Sequence, residues 1–159
     1  MLLSLLNNKT GKGFVLTSNV DGHFIRAGFD ESIVEEIHGS INFLQCTRTE
    51  CIEKKSYWAT PVLDMVLDKE GMVKAEEIPR CKECNAVARP NILMFRDSTC
   101  VKLRLNEQRD RFDEWVEKVK SKKLKAVVLE IGAGTSVGTV RANSEKFAKE
   151  TNSSIIRVN

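Results

Sequence analysis

Two close pairs of cysteines, Cys46-x4-Cys51 and Cys81-x2-Cys84, constrain this chain more than any other feature. Each pair can offer two thiolates from one turn, and two such turns can close a tetrahedral four-thiolate site for Zn2+. The alternative is four reduced thiols without a ligand. Residues 46–89 carry charges and prolines in place of periodic apolar patterns, so a metal would supply the folding energy that a core does not. Four sulfur ligands leave no open coordination position, which makes the expected zinc structural, one per chain. Cys100 has no near neighbour of its kind and reads as a small core residue. Five cysteines, an odd number in 159 residues, suit a reducing compartment better than a disulfide framework. With neither a membrane span nor a signal-peptide core read in the sequence, the expected location is cytoplasmic.

On either side of this segment the pattern is α/β. Lys12 to Asn19 reads as a buried strand opening into a polar loop, and Asp21 to Gly28 as a helical turn closed by glycine. Asn91 to Phe95 restarts an apolar strand. Asn106 to Lys120 is the clearest helix, with Phe112, Trp115, Val116 and Val119 on one face. Lys125 to Ile131 reads as a strand buried on both sides, Val140 to Thr151 as a helix, and Ser154 to Asn159 as a last strand. Alternating strands and helices predict a parallel sheet covered by helices. The domain reading is 1–45 with 90–159 as one body and 46–89 as a small zinc module.

Composition excludes several classes. With 42% apolar and 30% charged residues, the chain is neither disordered nor collagen-like. A net charge of +3 is too small to imply a nucleic-acid partner, and Lys118 to Lys125 reads as the solvated end of a helix. No apolar run approaches the roughly 18 residues of a membrane span. Met1 to Leu6 is apolar but stops short of a signal-peptide core, and reads as the end of a helix.

Two further features could carry chemistry. Gly132-Ala133-Gly134-Thr135-Ser136 follows a buried strand, where glycines admit a phosphate or ribose and the hydroxyls can bond it. It lacks the full G-x-G-x-x-G spacing, and a plain strand-to-helix turn fits about as well. His38, flanked by Gly39 and Ser40, could take a proton near neutral pH, although lone histidines are more often structural.

Taken together, these motifs resemble the sirtuin family of NAD-dependent protein deacylases. Thr17-Ser18-Asn19-Val20-Asp21-Gly22 is similar to its T-Q-N-I-D signature, with Ala27-Gly28 at the family's spacing. Ile37-His38-Gly39-Ser40 resembles the catalytic-histidine motif, and the two cysteine pairs follow in order. Arg89-Pro90-Asn91-Ile92-Leu93-Met94-Phe95 resembles R-P-x-V-V-x-F. Gly134-Thr135-Ser136 is similar to the second nucleotide loop, and Arg157-Val158-Asn159 to the final ribose-binding strand.

The resemblance implies a Rossmann-like sheet beside a zinc module, with NAD in the cleft between them and an acyl-lysine protein as substrate. It implies nicotinamide and ribose contacts from Asn19 and Asp21, a general base at His38, and nucleotide contacts from Thr17, Ser18, Gly134, Thr135, Ser136 and Asn159. Met94 and Phe95 would meet the substrate peptide. The sequence departs from the pattern at Ser18, usually Gln, at Phe24, often His, and at Arg96, usually Gly. It also lacks the family's opening strand with G-A-G-x-S. The expected sheet is therefore incomplete, to be completed by a partner chain or oligomer, repacked, or continued in a longer product. Two other readings stand beside the deacylase: a non-catalytic NAD- and zinc-binding interaction module, and a sirtuin-like protein ADP-ribosyltransferase.

Overall fold

The structure is a computed structural model that describes residues 13–53, 56–61, 69–73 and 77–159. The apolar Met1 to Leu6 segment lies outside them, as does Lys12. Contacts divide the chain into two units. One gathers the stretch ending at Ser18 with Phe24–Ile37 and Glu107–Asn159; the other gathers Asn19–His23 with His38–Asn106.

The first unit is built from two parallel ladders. In one, β1 (Val15–Thr17) pairs with β2 (Val34–Glu36), matching Val15 with Val34 and Thr17 with Glu36. Ile37 continues this pairing by donating its N–H to the Thr17 carbonyl. Between the two strands lie a short helix α1 (His23–Arg26) and the Glu31–Ile33 turn. Phe24 packs edge-on to Phe29 at 5.4 Å. In the other ladder, β6 (Val127–Ile131) pairs with β7 (Ser154–Val158) in register from Val127–Ser154 to Ile131–Val158.

Two helices pack together in this unit, and the longer one carries the expected apolar stripe. Helix α3 (Leu103–Ser121) is longer at both ends than the sequence pattern suggests, and the boundary between units falls within it, after Asn106. Its Val116 and Val119 bury against Phe147 of helix α4 (Thr139–Thr151), with Phe112, Trp115, Ala126 and Val128 around them. Trp115 stacks on Phe147 at 5.3 Å, and Phe14 meets Phe112 edge-on at 5.2 Å. Burial of each such side chain contributes about 1.5–3 kcal/mol.

The β6 strand corrects one expectation. It is covered on a single face, where Val128 meets the helices. The opposite face leaves Val127 59%, Leu129 46% and Ile131 60% exposed, beside Ile156 at 54% and Val158 at 53%. An unbroken run of apolar residues cannot distinguish one covered face from two.

The second unit is antiparallel. Its centre is β3 (Gly39–Cys46), flanked by β4 (Tyr57–Ala59) and β5 (Ala88–Ile92) in the order β4-β3-β5, with a bulge between Ser40 and Leu44. A short helix α2 (Thr49–Glu53) follows β3. The strand expected over Asn91 to Phe95 runs instead from Ala88 to Ile92, and the chain turns at Met94–Asp97.

Buried amides hold this sheet to the segment that follows it. Asn91 Nδ2 donates to Gln45 Oε1 at 2.9 Å and to the Val101 carbonyl at 2.8 Å. Val101 N–H donates to Gln45 Oε1 at 2.9 Å, and Gln45 Nε2 to the Thr99 carbonyl at 2.8 Å. Gln45 and Asn91 are both fully buried. Each group orphaned there would cost about 1–3 kcal/mol.

Among the described residues, no helix is long and apolar enough to cross a membrane.

Candidate functional site

The four cysteines meet. Cys46 ends β3, Cys51 lies on α2, and Cys81 and Cys84 share a turn closed by Asn85 N–H to the Cys81 carbonyl and Cys81 N–H to the Ala86 carbonyl. Asn85 takes a left-handed backbone, φ 56°, which lets the turn reverse so tightly. All four Sγ atoms lie within 4.8 Å of one another, and Cys46 and Cys84 are 3.6 Å apart. Sulfurs around tetrahedral zinc sit about 3.8 Å apart when each Zn–S bond is about 2.3 Å. The donor set therefore fits zinc in number, chemistry and spacing.

The four thiols differ in their electrostatics: burial raises Cys46, and the neighbouring Cys84 together with burial pushes Cys51 up to about 12. The Ala86 N–H beside Cys84, with Cys51 after it, brings the Cys84 thiol down to about 7. Arg48 N–H donates to Cys46 Sγ at 3.3 Å, a bond that favours thiolate. Trp58 and Ala86 pack against the cluster and shield it. Buried Cys100 stands apart and carries no ligand role.

The second unit also holds Asn19, Asp21 and His38. Ile41 N–H donates to the Val20 carbonyl at 2.9 Å, and Ser40 Oγ to the same carbonyl at 3.4 Å. The residue between Asn19 and Asp21 is thus tied to the strand that begins just after His38. Half-buried His38 lies in the turn between β2 and β3, and its carbonyl accepts the Leu93 N–H at 2.9 Å. Gly39, at φ 83°, lies so close to β5 that a Cβ there would stand 2.1 Å from the Asn91 carbonyl oxygen. Only glycine permits that approach. Asp21 Oδ1 accepts the His23 N–H at 2.9 Å, fixing the carboxylate over the loop.

Met94 and Phe95 also belong to this unit, on the turn three residues beyond the paired end of β5. Asp97 N–H donates to the Met94 carbonyl at 3.2 Å, and Phe95 is 89% exposed at the tip.

The remaining expected residues lie in the first unit. Thr17 ends β1 and Ser18 follows it. Gly134, Thr135 and Ser136 form an exposed loop between β6 and α4, and Asn159 stands exposed after β7. A Cβ at Gly134 would meet nothing within 4 Å, and Gly138, the residue capping α4, makes no side-chain cap. The loop thus offers open space, two hydroxyls and a helix N-terminus with uncapped N–H groups, which fits a nucleotide phosphate or ribose.

One residue on α4 that supports this loop escaped the sequence reading. Arg141 Nη2 donates to the Ala133 carbonyl at 2.9 Å, and its Nε lies 3.9 Å from Glu130 Oε1. Glu130 is buried and held in ionised form by Arg157, which reaches it with both Nε and Nη2, with Arg141 adding to the effect. This charge group braces the loop from beneath. Nothing local to Arg141 signals the role, because both partners precede it by eight residues or more.

Comparisons with known proteins bear on this arrangement. A family model described as Sir2 family matches residues 1–138. An NAD-dependent protein deacetylase of Thermotoga maritima is 31% identical over 98 residues, 62% of this chain and 35% of that protein. A probable bifunctional ADP-ribose hydrolase/ADP-ribosyltransferase of Fusarium oxysporum f. sp. cubense is 27% identical over 150 residues, 91% of this chain and 25% of that protein. This chain therefore spans about a quarter to a third of the length of such relatives. Among solved structures, a mutant Sir2 homologue in complex with ADP-ribose superposes with a TM-score of 0.60 at 22% identity, over 98% of this chain and 50% of that one. Sir2Tm bound to a propionylated peptide gives 0.59 at 23%, over 99% and 56%. These likenesses establish a Rossmann-like α/β fold, and with a family match that runs over most of its length, the chain belongs to the Sir2 family.

Proposed function

We propose that this chain carries the machinery of an NAD-dependent protein-lysine deacylase. The observation that carries the reading is the tying of Asn19 and Asp21, through Val20, to the strand that follows His38 within one compact unit. Relatives named as NAD-dependent deacetylases or deacylases support it. When bound, NAD supplies the ADP-ribose that accepts the acyl group as nicotinamide leaves.

The chain's own residues have distinct tasks. Asn19 and Asp21 orient the nicotinamide ribose, and the carboxylate favours positive charge developing nearby. His38 takes a proton from a ribose hydroxyl. Thr17, Ser18, Gly134, Thr135, Ser136 and Asn159 hold the nucleotide by hydroxyl, amide and backbone groups. Met94 and Phe95 meet the acyl-lysine peptide, the one macromolecular substrate proposed; nucleic acid and membrane have no part. The four cysteines hold one structural zinc. Residues 46–89 act as the zinc module of a nucleotide-binding domain made from 1–45 and 90–159. The location is cytoplasmic.

A partner chain or further segment completes the sheet. Among the described residues, β6 and β7 pair only with each other, and their outer apolar face is half-exposed. Two-stranded ladders of this kind are marginal on their own, and parallel sheets are ordinarily covered on both faces.

The test is incubation of the full chain with NAD and an acetyl-lysine peptide, with nicotinamide and deacylated peptide measured together. Release of both, reduced by on the order of 10²–10⁴ in His38→Ala, is the expected result. The Fusarium relative, matching 91% of this chain, favours a second reading as an ADP-ribosyltransferase, which would give nicotinamide with protein-bound ADP-ribose instead. Folded protein with no turnover would point to a non-catalytic module.

A further inference from the structure

We infer that the Met94–Asp97 turn selects acyl-lysine peptides that carry an acidic residue beside the modified lysine, with Arg96 as the specificity-determining side chain. The inference rests on the reading that Met94 and Phe95 meet the substrate, and adds to it the charge of the peptide.

The turn is built to hold one conformation. Asp97 Oδ1 accepts both the backbone N–H and the Oγ1 hydroxyl of Thr99 at 2.8 Å, and its Oδ2 binds Arg89 Nη2 at 2.6 Å. Arg89 Nη1 in turn donates to the Ile92 carbonyl at 3.2 Å, gripping the end of β5. Burial works to raise the Asp97 carboxyl, yet the Thr99 and Arg89 donors outweigh it and hold it down to about 2.

This bracing has an electrostatic result. Arg89 neutralises Asp97 inside the turn, so the exposed Arg96 is a cation with no ion-pair partner among the described residues. Its backbone sits at φ 59°, a conformation glycine adopts freely and an arginine only at a cost. A strained backbone that displays a guanidinium next to an 89% exposed Phe95 and a 56% exposed Met94 makes a compact apolar and cationic surface. The Leu93 N–H, immediately before Met94, donates to the His38 carbonyl and so ties the start of that turn to the main chain of the candidate base. A guanidinium pairs best with a carboxylate, by two parallel hydrogen bonds.

The experiment is fluorescence anisotropy of labelled acetyl-lysine peptides with the full chain. The peptides carry Asp, Ala or Lys beside the acetyl-lysine and are otherwise identical. The Asp peptide should bind about two- to fivefold tighter than the Ala peptide, with Lys weakest, and the gap should close as salt rises. Arg96→Gly relaxes the backbone, so it should keep or raise the melting temperature while levelling the three affinities; Arg96→Glu should invert their order. Equal binding of the wild type to all three peptides, or a preference that survives Arg96→Gly, overturns the inference and leaves the substrate reading intact. Binding to none of the peptides overturns both.

Discussion

The two units close their backbones by different means. In the second, each strand of β4-β3-β5 lies within about 50 residues of its neighbours, four thiols gather at one end, and the Gln45–Asn91 amides lock the following segment. In the first, two parallel ladders stand as separate pairs, and five apolar side chains of β6 and β7 are left about half-exposed. Antiparallel strands and a metal can be satisfied by nearby chain, whereas a parallel sheet needs crossovers and a covering layer on each face. The second unit therefore has most of what it needs within itself, while the first has the outline of a larger sheet.

Removal of zinc should give the largest effect. Structural zinc sites contribute roughly 10–16 kcal/mol, so chelation or Cys81→Ser should unfold the second unit, with metal analysis falling from one zinc per chain to none. The two tryptophans report separately, because Trp58 packs on the cysteine cluster and Trp115 in the helical core. In a Trp115→Phe background the Trp58 emission should shift red on chelation; in a Trp58→Phe background the Trp115 emission should hold. Loss of both together would break the contrast between the units.

Next in size is Asn91→Leu. It leaves the buried Val101 carbonyl without its side-chain donor and should lower stability by roughly 1–3 kcal/mol, read from urea unfolding followed at Trp58.

Glu35 should make the first unit pH-dependent. Burial pushes its carboxyl up to about 7, opposed by Arg109 at 2.9 Å and aided by Asp113. The folded value lies above the ordinary 4.5, so Glu35 supports the fold fully below that pH and loses this contribution as pH rises to about 7. The loss should be of order 1–3 kcal/mol, and Glu35→Gln should flatten the profile of melting temperature against pH over that window. A slope unchanged in the variant would assign it elsewhere.

The smallest effect on stability belongs to the exposed β6–β7 face. Leu129→Thr with Ile156→Thr should shift unfolding by less than about 1 kcal/mol, while reducing self-association seen by sedimentation. A large loss of stability would mean that the face is covered within the chain.

The cysteine cluster and the main helix were legible because their signals are local. Cysteine spacing announced a metal cluster, and the Phe112, Trp115, Val116, Val119 stripe announced the helix. What escaped notice depends on distant residues. Asn91 to Phe95 reads as a strand, but the strand ends at Ile92 and the Arg89–Asp97 ion pair closes the turn beyond it. The Gln45–Asn91 bond joins positions 46 apart, and neither residue carries a sign of its partner. Burial on one or both faces of β6 depends on what surrounds it, which five consecutive residues cannot encode.

Gly39 separates two kinds of failure. A library of all substitutions at this codon should return glycine alone among soluble, folded products, since any branch would strike the backbone of the neighbouring strand. One codon earlier, the tie to Leu93 uses only a main-chain oxygen, so many side chains should fold in place of histidine and test only its proposed role as a base. Foldability and reactivity can therefore be scored independently at adjacent positions, giving any later screen for activity its own internal control.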